Sequence, residues 1–276
     1  MSSAPRPPPD LPRDAHKGVA GRVLLACGSA WMPGAALLAA RAAQRAGAGL
    51  VRLACREPEL VPIVAVAAPE CVFLPDPLDA LAAGDQHAAL AGPGLGLDDD
   101  ALAITRAALA RASVLLVLDA DALSLLAREP RPLAERAAPL VLTPHPGEAA
   151  RLLGREIPAD PAGRSEAARA IARAFSALVV LKGAGTVVTD GERVLINDTG
   201  NPGLATAGAG DVLAGILVAY LAQTVTLAQP GWSALDAVAR AVWVHGRAGD
   251  LAAAELGSRA VVASDLVTFL PAAQRG

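Results

Sequence analysis

Residues Arg22 to Cys55 read RVLLACGSAWMPGAALLAARAAQRAGAGLVRLAC, and the choice of fold turns on them. The stretch opens on an apolar β-type run, RVLLAC, which stops at Gly28-Ser29. PGAALLAARAAQRAG follows, a helical composition with proline at its start. GLVRLAC then returns to strand-like residues. Short apolar runs bounded by glycine suit strands covered on both faces, while a longer alanine- and leucine-rich segment suits a helix. Strand, helix, strand is the unit from which parallel sheets are built, because parallel neighbours need a long crossover.

The alternation continues. A helix is expected near Pro58–Ala67, and AALAG (Ala88–Gly92) leads through a glycine loop to a helix over Asp98–Arg111. SVLLVLDAD (Ser113–Asp121) and PLVLTPHPGE (Pro139–Glu148) repeat the scheme. ALVVLKGAGTVVTDGERVLIN (Ala177–Asn197) reads as a core strand and then a hairpin turned at Asp190-Gly191. No linker-like stretch divides the chain. The reading is one α/β domain over residues 16–276, three α/β/α layers around a mostly parallel sheet, preceded by a mobile Pro- and Arg-rich arm at residues 1–15. Ligands of such sheets bind at the carboxyl ends of the strands. Glycines and polar residues collect there: Gly28-Ser29, Gly92 to Gly96, Asp119, Thr143-Pro144-His145 and Lys182-Gly183.

Bulk properties narrow the function. With 53% hydrophobic and 18% charged residues, the 276-residue chain is a compact globule and not a disordered one. A net charge of −3 gives nucleic acid no electrostatic reason to bind. The three cysteines, Cys27, Cys55 and Cys71, have no CxxC spacing, which suits a reducing cytoplasm. The N-terminus has no apolar leader. Val212–Leu235 carries no charge, yet its continuous apolar part, Val212–Ala222, is shorter than the roughly 20 residues a bilayer requires. A cytoplasmic protein with no membrane or nucleic-acid partner is expected.

The chemistry centres on NPGLATAGAGDVLAG, Asn201 to Gly215. Small residues Ala207 to Gly210 precede a helix that Asp211 begins, so backbone N–H groups at a helix N-terminus face outward, as an anionic phosphate requires. Asp211 beside that pocket suits the proton acceptor of a phosphoryl transfer. GxGD alone fits a first-turn carboxylate and a tight turn equally well. The apolar helix behind it, Val212–Ala222, favours the functional reading, because a buried helix aimed at a pocket is costly for a plain turn.

LKGAGT (Leu181–Thr186) holds one of only two lysines, Lys17 and Lys182, against 22 arginines. At a strand end Lys182 is a point charge for phosphate, and Gly183 and Gly185 let a nucleotide reach the backbone. In TPHPGE, His145 is a candidate for substrate and Glu148 for magnesium through water, with helix capping as the plainer role. GPGLG (Gly92–Gly96) is a loop of close backbone approach, or a turn. Asp119 and Asp121 in LDADAL end a strand; either could touch substrate or metal, with helix capping the plainer role, above all for Asp121. HGRAGD (His245–Asp250) reads as helix packing. The dinucleotide fingerprint GxGxxG is absent from the first unit.

Taken in order, HKGxxGRVLLxxGS, MPGAALLAARAAxRAGAGLV, GPGLG, LDADAL, LTPHPGEAARLLG, VVLKGAGTVV, GNPGLATAGAGDVLAGIL and HGRAGDLAA resemble the ADP-dependent NAD(P)H-hydrate dehydratases. They run from His16 to about Ala253. The resemblance implies a ribokinase-like fold, a lyase that returns (6S)-NADHX or NADPHX to NADH or NADPH, and ADP (or ATP) as co-substrate with Mg²⁺. It implies Asp211 as catalytic base. Lys182, Gly183, Ala184, Gly185, Thr186, Gly208 and Gly210 would contact the nucleotide; Ala36, Gly94, Gly96, His145 and Asp211 would contact the hydrate. It also implies a homotetramer. Many relatives carry an N-terminal epimerase domain, for which 276 residues leave no room, so a separate epimerase partner is expected. The loop usually reads GGTGD, whereas here it is Ala207-Gly208-Ala209-Gly210-Asp211. Two rival readings share the same residues. One is a vitamin-precursor kinase for hydroxymethylpyrimidine or thiazole alcohols; the other is a nucleotide-binding regulator without turnover.

Overall fold

In the computed structural model, residues 4–129 and 135–276 are described. The strand–helix alternation begins with β1 (Arg22–Ala26), α1 (Pro33–Arg45), β2 (Leu50–Ala54), α2 (Val61–Ala67), β3 (Val72–Leu74) and α3 (Pro77–Ala83). It continues through β4 (Ala88–Ala91), α4 (Asp99–Ala110), β5 (Leu115–Leu118), α5 (Asp121–Leu126), β6 (Leu140–Leu142), α6 (Pro146–Leu153), α7 (Pro161–Phe175) and β7 (Leu178–Leu181). The hairpin β8 (Val187–Thr189) and β9 (Val194–Ile196) follows, then α8 (Ala209–Thr226), α9 (Ala234–Leu256) and α10 (Ala263–Ala273).

The sheet has nine strands in the order β3-β2-β1-β4-β5-β6-β7-β8-β9. β3 to β7 pair in parallel, and β8 and β9 close one edge antiparallel. Side chains alternate between two cores, as the pleat demands. Val23, Leu25, Val51, Leu53, Leu90 and Val117 face α1, α8, α9 and α10. Leu24, Ala26, Ala89, Ala91, Leu116 and Leu118 face α3 to α7. Three α/β/α layers result, with the sheet buried on both sides.

Local sequence sets the helix ends. Pro33 opens α1, the Asp76, Asp98 and Asp160 side chains accept from the first turns of α3, α4 and α7, and glycines in the left-handed conformation end α3 and α6. α8 is the one described helix apolar and long enough to cross a membrane by composition, and most of it is buried. It packs on α1, α9 and strands β1, β4 and β5. Residues 4–15 hold no helix or strand; the Pro5 carbonyl accepts from Arg240 and Arg6 donates to the Pro230 carbonyl.

The strand register matters most for function. Ala26 pairs with Ala54 and Ala91, Ala91 with Leu118, and Leu118 with Leu142. β1, β2, β4, β5 and β6 end flush and β7 runs two residues further, Leu142 pairing with Val179, so the residues just past them gather along the carboxyl edge.

Candidate active site

Asp119 leaves β5 at that edge and is 1% exposed. A buried carboxylate needs partners, and it has two: the Thr143 hydroxyl donates to it at 2.7 Å and Lys182 Nζ lies 2.7 Å away. Lys182 sits at the end of β7, its backbone N–H tied to the Pro144 carbonyl at 2.8 Å. Glu148 Oε2 stands 3.8 Å from the same ammonium. Burial works against the Lys182 charge, but the carboxylates of Asp119 and Glu148 outweigh it and hold its pKa above the usual lysine value. Burial pushes the Glu148 carboxyl up, opposed by Lys182.

The entrance to α8 meets this cluster. Gly208 caps the helix at φ +87°, a backbone that side chains rarely adopt, and supplies no capping side chain. No side chain caps the first turn, and a helix N-terminus left this way suits an anion. At Gly210 a Cβ would lie 3.6 Å from Lys182 Nζ and 3.8 Å from Asp119 Oδ2, so this turn runs against the ion pair. The His245 ring donates to the Ala209 carbonyl at 2.9 Å, and burial holds that histidine neutral, with its pKa down to about 4.

Asp211 occupies the first turn of α8. Burial and then the neighbouring charge of Asp119 raise its pKa from 3.8 to about 7, against the pull of Lys182. A carboxyl that titrates near neutrality can take a proton and release it at physiological pH.

The surrounding loops attach to the same centre. Gly92 adopts φ +127°, and a Cβ there would fall 1.9 Å from the Asp119 carbonyl; only glycine lets GPGLG pass so close to β5. The Gly28 N–H donates to the Pro93 carbonyl at 2.8 Å, linking β1 to this loop. Ala36 is fully buried in α1, under Gly28. Gly94 is buried and Gly96 half-buried. Gly183, Ala184 and Gly185 are exposed on the loop after Lys182, and the Thr186 hydroxyl donates back to the Gly183 carbonyl at 2.9 Å.

The structure thus brings Lys182, Gly208, Gly210 and Asp211 to one point, with Gly94, Gly96, His145 and Gly183 to Thr186 on loops of the same edge, Ala36 buried in α1 and Glu148 in α6. His145 is exposed and serves as the N-cap of α6: its ring accepts from the Gly147 and Glu148 amides, and Glu148 Oε2 accepts from the His145 N–H at 2.7 Å. Asp121 does not cap α5; its Oδ2 accepts from the Gly96 N–H at 2.9 Å. The Asp119–Lys182 pair and the Thr143 hydroxyl were not foreseen as a unit. Among the described residues no three of His, Cys, Asp or Glu form a metal cluster.

Phosphoryl transfer asks a protein for position, positive charge and a proton acceptor. The α8 entrance, Lys182 and Asp211 offer these within a ribokinase-like fold, which puts the chain in the class of small-molecule kinase-like α/β proteins. The sequence pattern described as NAD(P)H-hydrate dehydratase matches residues 23–272, and the chain belongs to that family. The bifunctional NAD(P)H-hydrate repair enzyme Nnr of Moorella thermoacetica is 43% identical over 95% of this chain and 51% of its own length. The ADP-dependent (S)-NAD(P)H-hydrate dehydratase of Neisseria meningitidis is 41% identical over 86% of this chain and 79% of its own. The ADP/ATP-dependent NAD(P)H-hydrate dehydratase of Bacillus subtilis, co-crystallised with ATP/Mg²⁺, superposes with a TM-score of 0.85 at 31% identity, covering 98% of this chain and 94% of that one. The chain spans about half the length of the bifunctional relatives it matches.

Proposed function

We propose that this chain dehydrates (6S)-NADHX and NADPHX to NADH and NADPH, spending ADP to AMP and phosphate. The observation that carries the reading is Asp211, a half-buried carboxyl with a pKa of about 7 in the first turn of an uncapped, buried helix. The family membership supports the substrate, and the name of the Neisseria relative supports ADP.

In this reading Asp211 takes the proton of the ring hydroxyl. The freed oxygen bonds to the β-phosphorus of ADP, and the bond from that phosphorus to the bridging oxygen breaks, releasing AMP. The electron pair of the ring nitrogen then expels phosphate from C6, and loss of a C5 proton restores the dihydronicotinamide. Lys182 and the Gly208–Gly210 amides hold the charge of the moving phosphoryl group. Gly183 to Thr186 line the nucleotide side; Ala36, Gly94, Gly96 and His145 line the hydrate side.

Asp119 and Glu148 direct carboxylate oxygens at Lys182, whose charge balances them. Glu148 is the residue that would hold Mg²⁺ through water, and the ion's chemistry would be to neutralise the nucleotide phosphates. The reading includes a cytoplasmic homotetramer working together with an NAD(P)HX epimerase activity. The three free, buried cysteines suit that compartment.

The test is product analysis. Incubation with hydrate, ADP and Mg²⁺ should yield NADH, AMP and phosphate in equal amounts. Accumulation of a phosphorylated alcohol from a vitamin precursor, with the hydrate untouched, would refute the reading and favour a kinase.

A further inference from the structure

We propose that Asp121 is a positioning residue that sets the shape of the hydrate loop, Gly92 to Gly96, by holding the Gly96 N–H. The proposal rests on the reading of that loop as substrate-contacting.

Asp119 and Asp121 are separated by one residue, yet they serve opposite sides of the site. Asp119 faces Lys182 and Thr143, while Asp121 faces Gly96. The residue between them makes this possible. Ala120 adopts φ +51° and ψ −118°, one of two positive-φ residues other than glycine among those described. An alanine there is strained, and strain of this kind persists only where surrounding contacts fix it. The twist removes Asp121 from the capping role its position at the start of α5 would suggest, and aims it at the loop.

The loop starts with the Gly92 N–H on the Ala26 carbonyl at 3.3 Å, and three further bonds hold it beyond that. Pro93 accepts from the Gly28 N–H at 2.8 Å, Leu95 accepts from Arg56 Nη1 at 2.9 Å, and Gly96 donates to Asp121 Oδ2 at 2.9 Å. Arg56 is itself fixed by Asp98 at 2.9 Å. The Arg56 anchor grips a carbonyl. Asp121 grips the N–H on the next residue, so together they fix the peptide plane between Leu95 and Gly96. A charged acceptor makes the Asp121 bond the stronger kind. Glycines at 92, 94 and 96 would leave the loop with many alternatives without it.

Two substitutions separate positioning from general structure. Asp121→Ala removes the acceptor; Asp121→Asn keeps an oxygen in the same place. The expected result is a rise of about tenfold or more in hydrate KM for Asp121→Ala, with ADP KM unchanged, and recovery to near the wild-type value in Asp121→Asn. Amide hydrogen exchange over residues 92–98 should quicken in Asp121→Ala and not in Asp121→Asn. Unchanged exchange in Asp121→Ala, or faster exchange with unchanged hydrate KM, overturns the proposal. So does an equal rise in both KM values. A wild-type protein that never turns over hydrate refutes the function reading instead, and exchange alone then decides whether Asp121 anchors the loop.

Discussion

Asp211→Asn should abolish turnover and, above neutral pH, make the protein more stable. The buried carboxyl is easier to keep neutral than charged, which is why its pKa rises from 3.8 to about 7. Between those values the folded protein binds a proton that the unfolded chain has released, so stability falls as pH rises through this window. Above about pH 7 the folded state carries the full cost of the charge. Three pKa units at 1.36 kcal/mol each set a ceiling of about 4 kcal/mol, and the residual solvent contact of the carboxyl reduces this to roughly 2–4. Asparagine carries no charge at any pH. Urea unfolding at pH 8 should therefore find the variant more stable by that amount, and the difference should vanish near pH 3.5. Loss of the base should lower kcat by at least 10²–10⁴-fold. A variant no more stable than wild type at pH 8 would show that Asp211 is not held against its charge, and the argument for a tuned base would fail.

Other outcomes follow from the same geometry. Wild-type kcat/KM should rise with pH along a limb centred near 7, because the base must be unprotonated; a profile flat from pH 5 to 8 would assign the proton transfer to another group. Lys182→Met should leave Asp119 buried without its cation and cost about 3–5 kcal/mol in urea unfolding, together with a higher nucleotide KM. Gly208→Ala would force a side chain onto φ +87°, with its Cβ 2.4 Å from Leu38 Cδ1, and should lower stability by about 1–3 kcal/mol in thermal melts. Chelation of Mg²⁺ should stop turnover yet leave the melting temperature of the nucleotide-free protein unchanged, since the described residues build no metal cluster of their own.

Much of the fold is legible in short-range patterns. RVLLAC and GLVRLAC became β1 and β2, the intervening alanine-rich segment became α1, and the turn at Asp190-Gly191 joins β8 to β9. The charge-free run after Asp211 foretold a helix buried on all sides, and α8 is that helix. Less legible were β3, only three residues at the sheet edge, and α7, whose arginines blur its apolar stripe. The site divides along the same line. Gly208 to Asp211 and Lys182 announce themselves through local composition. The Asp119–Lys182 pair joins residues 63 apart, and Asp121–Gly96 joins residues 25 apart. No local pattern encodes such pairs; they follow from strand ends brought together along one edge of the sheet. His145 and Glu148 read both as ligands and as a helix start, because proline, histidine and glutamate are the vocabulary of either; the structure shows them joined in a capping box at the start of α6.

Turnover decides the matter. Purified protein is mixed with NADHX and Mg²⁺, with ADP, with ATP or with no nucleotide, and the near-ultraviolet absorbance of reduced nicotinamide is followed. The prediction is a rise that depends on nucleotide and is absent in Asp211→Asn. No rise in the wild-type protein, while nucleotide binding is intact, would contradict the dehydratase reading outright.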